Sequence, residues 1–353
     1  MKTKVIKLEN EKQKEQEWKE AGQIIRDGGL VAFPTETVYG LGANGLDSEA
    51  AARIYAAKGR PSDNPLILHI ANIEDVYYLA KDVSQKARNI MEAFWPGPLT
   101  IVLKKQDIVP YGTTGGLDTV AIRMPNDLVA KRLIEEANVP IAAPSANTSG
   151  RPSPTTAQHV LEDLEGIIDM VIDGGPVRIG IESTIVDVTS DTPVILRPGY
   201  ITKEMIEQVV DQEVQIDPAI LNKEGMNGIR PKAPGMKYKH YAPKGELTIV
   251  SSKDISLMVD KVKQLVREKK QKGYKVGIIA TEETKEQYTE GMIKCIGSRN
   301  DEIRISSSLY RILREFDEAE IEFIYSESFE QDGFGQAIMN RLLKAAGYHI
   351  LYV

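Results

Sequence analysis

In the first half of the chain the apolar residues fall in short runs broken by proline and glycine, and these runs predict strands. Leu30–Phe33 is β-prone and must stop at Pro34, which cannot continue a paired strand. Leu66–Ile70, with His69 near its end, and Leu99–Leu103 read as buried strands. Between Thr119 and Pro125 the pattern alternates, which sets Thr119, Ala121 and Arg123 on one face. Further strands are expected over 139–144, 170–173 and 194–197. Helical spacing intervenes from Trp18 to Arg26, over 49–57 behind the caps Asp47 and Ser48, from Ser84 to Phe94, from a cap at Asn126 to about Ala137, and from near Thr202. Mixed short strands and helices at irregular spacing imply an α/β domain around a twisted sheet.

Beyond Gly245 the pattern becomes regular. Strands are expected over 247–250, 276–280 and 321–325, and helices over 255–270, 282–290, 309–316 and 337–346. Such alternation predicts a smaller Rossmann-like parallel sheet. Ser306-Ser307-Ser308 and Gly333-Phe334-Gly335 read there as cap and turn. Between the halves periodicity fades, and residues 222–245 hold six Lys or Arg against one acidic residue. The expected division is 1–212, a linker or lid over 213–245, and 246–353.

Composition narrows the classes. A chain of 353 residues has room for two cores, and a formal net charge of -7 argues against a general binder of nucleic acid or acidic membranes. The one cysteine, Cys295, excludes an internal disulfide and a thiolate metal cluster. The opening MKTKVIKLENEKQKEQ has no apolar core of an export signal and no run approaches membrane-spanning length, so a cytoplasmic location is expected. There is no GxxxxGK[ST] and no dinucleotide fingerprint, the four histidines form no zinc-ligand pair, and no GxSxG appears.

A set of fixed cations and hydroxyls remains. Thr35-Glu36-Thr37 precedes a turn rich in glycine, Tyr39 to Gly45. Lys58 falls in the last turn of the helix closed by Gly59, and Arg60 just beyond it. Alone, this pair also suits the negative end of a helix dipole. Ser145 and Asn147 stand two apart, so in extended backbone both address one ligand; a turn satisfied by its own backbone is the other reading. With Arg123, Arg197, Thr119 and Ser183 the set suits a triphosphate together with a carboxylate.

PTETVYGLG (34–42), KGRPSDNPL (58–66) and PSANTSG (144–150) closely resemble the YrdC-type domain of the threonylcarbamoyl-AMP synthases. PGMKYKHYAP (234–243) resembles the interdomain segment of the two-domain form, which is thought to fold over the active site. The motif order matches along the whole chain. The resemblance implies a YrdC-like catalytic domain with a twisted mixed sheet over 1–212, a lid, and a C-terminal Rossmann-like domain. It implies synthesis of L-threonylcarbamoyl-adenylate from L-threonine, bicarbonate and ATP with Mg²⁺, releasing pyrophosphate. The product would pass to a transferase complex that modifies the adenosine next to the anticodon in tRNAs reading codons that begin with A. By the same resemblance Lys58, Arg60, Ser145 and Asn147 form the phosphate set, with Ser62, Thr119, Arg197 and Tyr241 as further nucleotide contacts. Thr35, His69, Arg123 and Ser183 would hold threonine, Arg123 at its carboxylate. No metal-ligating side chains and no stable contact with nucleic acid or membrane are expected.

Two other readings remain. An RNA-binding module without adenylate synthesis would use a concave basic face, against which the net acidity counts. Carbamoyl transfer, as in hydrogenase maturation proteins carrying a related domain, needs cysteine pairs that this chain lacks.

Overall fold

The computed structural model describes residues 2–8, 15–220, 234 and 240–353. Most of the expected lid, with Lys237 and Tyr238, therefore lies outside the described residues. The chain divides into two compact units. The first is Met1–Ser149, Ser153–Arg178 and Glu182–Lys237; the second is Gly150–Pro152, Ile179–Ile181 and Tyr238–Val353.

In the first unit twelve strands form one mixed sheet. They are β1 (Lys4–Lys7), β2 (Val31–Phe33), β3 (Gly40–Asn44), β4 (Ile67–His69), β5 (Ala80–Lys81) and β6 (Leu99–Lys105). They continue with β7 (Thr119–Arg123), β8 (Ile141–Ala142), β9 (Met170–Asp173), β10 (Thr184–Asp187), β11 (Val194–Arg197) and β12 (Gln215–Ile216). Their order is β1-β9-β2-β3-β8-β4-β7-β6-β10-β11-β12, with β5 beside β6. Two helices of this unit are α1 (Glu15–Arg26), just before β2, and α2 (Ser48–Lys58), which ends on one of the expected site residues.

Alternation decides what each face does. Val120 and Ile122 of β7 enter the main core with Leu41, Ile54, Leu68 and Ile101. Ala121 turns the other way, into a small cluster with Ile67, Val102, Ile185 and Leu196. Arg123 has the parity of Ala121, so the expected shared face is borne out. Val31 and Phe33 of β2 pack with Trp18, Leu133 and Ile172 in a further core, which also takes the apolar stripe of α1.

Helix α2 begins as its sequence requires. Asp47 accepts the amide of Glu49, and Gly59 closes the helix at φ 61. Elsewhere the expectations need correction. Asp127, not Asn126, caps the helix Leu128–Ala137, because its carboxylate accepts the amides of both Val129 and Ala130. The expected strand 139–144 shortens to β8, and a short helix, Tyr111–Thr114, precedes β7.

The second unit is a parallel sheet of five strands, β13 (Glu246–Ser251), β14 (Val276–Ala280), β15 (Met292–Cys295), β16 (Phe323–Glu327) and β17 (Ile350–Tyr352). They run in the order β15-β14-β16-β13-β17. The helix expected over 282–290 is a single 3₁₀ turn, Lys285–Gln287, and β15 and β17 were not anticipated. Ser306–Ser308 lies inside the helix Glu302–Glu318 rather than at its cap, and Ser306 Oγ donates to the Ile179 carbonyl at 2.7 Å.

Candidate active site

Strand register lines up the first group of polar side chains. His69 pairs with Arg123, Arg123 with Thr100, Thr100 with Ile185, and Ile185 with Arg197, so one row crosses five strands. Residues in register on neighbouring strands share a face. The polar members of the row thus stand at one end of the sheet, beside the apolar cluster of Ile67, Val102 and Ala121 that Ile185 joins. Ser183 enters just before β10. Its hydroxyl lies 2.8 Å from that of Thr100 and accepts from Arg197 Nη2 at 3.1 Å, while Arg197 Nε donates to the Ser183 carbonyl at 2.9 Å.

The loop after β2 closes over this row. Pro34 ends the strand, and Thr35 Oγ1 then accepts the amides of Thr37 and Val38, an ordinary turn for a hydroxyl residue. Arg123 Nη1 donates to Thr37 Oγ1 at 3.0 Å, and Nη2 stands 2.7 Å from Glu36 Oε2. Glu36 is 2% exposed and its other oxygen accepts the amide of Asn126. His69 is buried beside them, and its Nδ1–H donates to the Ile67 carbonyl at 3.1 Å. Burial first, and the Arg123 charge second, hold its pKa down to about 3, so the ring is neutral at pH 7.

A second group meets the other side of the same loop. Lys58 is 2% exposed, and its Nζ donates to the carbonyls of Ser145 and Asn147. Ser145 Oγ donates to Asn147 Oδ1 at 2.6 Å. The Ala146 amide bonds Tyr39 O, and Ser145 bridges Gly40, so the Ser-Ala-Asn turn and the glycine turn are tied together. Arg60 Nη2 donates to the carbonyl of Pro65 at 3.1 Å.

Of the expected site residues, Thr35, His69, Arg123, Ser183 and Arg197 gather at the end of the sheet, and Lys58, Ser145 and Asn147 adjoin them through the Thr35–Tyr39 loop. Thr119 shares the face of Arg123 but stands about 13 Å back along β7, four residues at ~3.3 Å each. Ser62 is exposed in the loop after Arg60. Tyr241 belongs to the second unit, where it has φ 64, stacks on Tyr310 at 5.3 Å and lies 5.8 Å from the Arg341 guanidinium. Sequence reasoning passed over Glu36, Thr37 and Thr100. A lone threonine inside the apolar run Leu99–Leu103, and a glutamate between two threonines directly after a strand, were the available signals.

Chemically, the first group is a buried guanidinium among hydroxyls, a neutral imidazole and the Glu36 carboxylate, suited to a small carboxylate ligand. The second is a cation holding a turn whose serine and asparagine project together, suited to a phosphate chain.

Two family models match the chain: the one described as "Telomere recombination", the Sua5–YciO–YrdC family, over residues 23–199, and "Threonylcarbamoyl-AMP synthase, C-terminal domain" over residues 201–347. The threonylcarbamoyl-AMP synthase of Pyrococcus abyssi is 48% identical over 346 residues, 98% of each chain. That of Bacillus subtilis is 46% identical, over 94% of this chain and 93% of its own. The crystal structure of P. abyssi Sua5 complexed with L-threonine superposes with a TM-score of 0.92 at 46% identity over 100% of both chains. Another structure of the P. abyssi protein, with a histidine and a tyrosine replaced by alanine, gives 0.93 over 99% of this chain and 98% of that one. By its sequence over nearly full length, and by a fold shared across both units, the chain belongs to the threonylcarbamoyl-AMP synthase family.

Proposed function

We propose that this chain forms L-threonylcarbamoyl-adenylate from L-threonine, bicarbonate and ATP at the polar end of the first-unit sheet. The threonine-bound relative supports threonine as substrate. The observation that carries the reading is the junction of two unlike groups on one loop: buried Arg123 with Thr37 on one side, and Lys58 with the Ser145–Asn147 turn on the other. One suits a carboxylate and the other a phosphate chain.

In this reading Arg123 takes the threonine carboxylate, and Thr35, neutral His69 and Ser183 surround the rest of the amino acid. The amine, once deprotonated, adds to the carbon of CO₂ derived from bicarbonate and becomes an N-carboxylate. An oxygen of that carboxylate then attacks the α-phosphorus, the bond to the bridging oxygen breaks, and pyrophosphate leaves with the electron pair. The nucleophile is already an anion, so the transfer needs alignment and charge neutralisation more than a side-chain base. Lys58, Arg60, Ser145 and Asn147 hold the phosphates; Ser62, Thr119 and Arg197 complete the nucleotide contacts. Mg²⁺ would enter with ATP and neutralise phosphate charge. The product would be consumed by a transferase complex acting on tRNA. No helix among the described residues is long and apolar enough to cross a membrane.

The test is pyrophosphate release by the purified chain with ATP, bicarbonate and Mg²⁺, with and without L-threonine. Threonine-dependent release, with threonylcarbamoyl-adenylate found by mass, is expected. A folded protein that releases none, yet binds tRNA, would replace this reading with the RNA-binding one.

A further inference from the structure

Arg123 and Glu36 touch without completing each other. Their Nη2 and Oε2 atoms are 2.7 Å apart, close enough for an ion pair, yet the angles make no hydrogen bond. Three buried atoms are therefore left without a hydrogen-bond partner: Glu36 Oε2, Arg123 Nη2 and Arg123 Nε. The other terminal atoms of the pair each have a partner. Nη1 donates to Thr37 Oγ1, and Glu36 Oε1 accepts the Asn126 amide, which fixes the carboxylate in place. Both side chains are buried, Arg123 at 4% and Glu36 at 2% exposure, so solvent does not supply what is missing. Unmet donors and acceptors in such surroundings are costly, and they mark the outline of what belongs there.

That outline has two signs. A simple carboxylate would satisfy the guanidinium but would place a second anion beside Glu36 and leave Oε2 without a donor. An amine would serve Oε2 but leave Nε unmet. A zwitterion with its carboxylate and ammonium on one carbon supplies both.

We propose that Glu36 accepts the α-ammonium of the bound amino acid and so makes the site select amino acids over plain hydroxy acids. This deepens the threonine reading above and rests on it. Arg123 alone recognises a carboxylate; Glu36 adds the demand for a positive charge next to it. His69, neutral at pH 7, adds no positive charge that would oppose an ammonium there.

The experiment is calorimetric titration of L-threonine and of (R)-3-hydroxybutanoate, which lacks only the amino group, into the full chain without nucleotide. The wild type is expected to prefer threonine. In Glu36→Gln the shape is kept and the charge lost, and the preference is expected to fall by about tenfold or more, with hydroxybutanoate holding or gaining affinity. Glu36→Asp keeps the charge but withdraws it, so threonine should weaken while hydroxybutanoate does not, which gives a second reading if the glutamine variant folds poorly. A role confined to shaping the site would weaken both ligands alike. Equal losses in either folded variant, or an unchanged ratio, overturn the assignment of Glu36 alone. A wild type that binds no threonine overturns the amino-acid site itself, and this assignment with it.

Discussion

Lys58 Nζ is bonded to the main-chain oxygens of Ser145 and Asn147, far away in sequence. A lysine that closes the helix of one motif thereby holds the turn of another. It is a structural tie and a buried positive charge in the same atom.

Replacing Lys58 should therefore remove more than a charge. In Lys58→Ala pyrophosphate release is expected to fall by about two to three orders of magnitude, the range seen when a preorganised electrostatic contact is lost. Lys58→Arg should fail almost as badly, because a planar fork cannot take the place of one compact ammonium between two carbonyls. Single-turnover assays with saturating ATP would check this; retention of wild-type rates in Lys58→Arg would refute it.

Arg123→Lys keeps the charge but loses the guanidinium geometry that reaches both Glu36 and Thr37. The threonine KM should rise about 10- to 100-fold with little change in the KM for ATP. Steady-state kinetics with each substrate varied in turn would show it, and a parallel rise in both constants would contradict the division of the site into two groups.

His69 ties stability to pH. Its pKa is lowered from 6.5 to about 3 in the fold, so the unfolded chain binds a proton that the folded chain refuses. The contribution is complete above pH 6.5 and is lost as pH falls toward 3. Across that window the loss amounts to roughly 3–5 kcal/mol. His69→Gln should flatten this part of the stability profile, measured as urea midpoints between pH 7 and 4. A variant that loses stability on acidification as steeply as the wild type would count against it.

In the second unit Glu327 is fully buried at the end of β16. It accepts from Thr284 Oγ1 and from Tyr288 Oη at 2.8 Å, and it pairs with Arg299. Burial first, and then the Glu327 charge and hydrogen bond, push the Tyr288 hydroxyl well above its ordinary pKa. Glu327→Ala strands Arg299 and should destabilise this unit by about 3–5 kcal/mol. An unfolding transition lower by that amount in denaturant is expected; an unchanged one would mean the network adds nothing.

These residues also show how far the sequence could be read. Alternation sufficed for β7, and the cap Asp47 and stop Gly59 sufficed for α2, because local chemistry decides them. Glu36 was visible as a residue but not as a partner, since its meaning lies in Arg123, across the sheet. Asn126 lost the cap to Asp127 because the carboxylate one position on reaches two amides. The 282–290 stretch has helix-favouring residues, yet its buried members Thr284 and Tyr288 turn toward Glu327, and tertiary hydrogen bonds override propensity. Ser306–Ser308 has the composition of a cap, but Ser306 serves a distant carbonyl from inside a helix.

The row from His69 through Arg123 and Thr100 to Arg197 has a consequence for how the chain tolerates insertions and deletions. The row exists only while β4, β7, β6, β10 and β11 keep their pairing. One residue added or removed within β7 would turn Arg123 to the opposite face and bring a core side chain into its place. The same change in the turn before Thr119 can be absorbed without moving the strand. Length variation among functional variants should thus collect in the connections and be absent from the five strands, whose spacing acts as the ruler for the substrate.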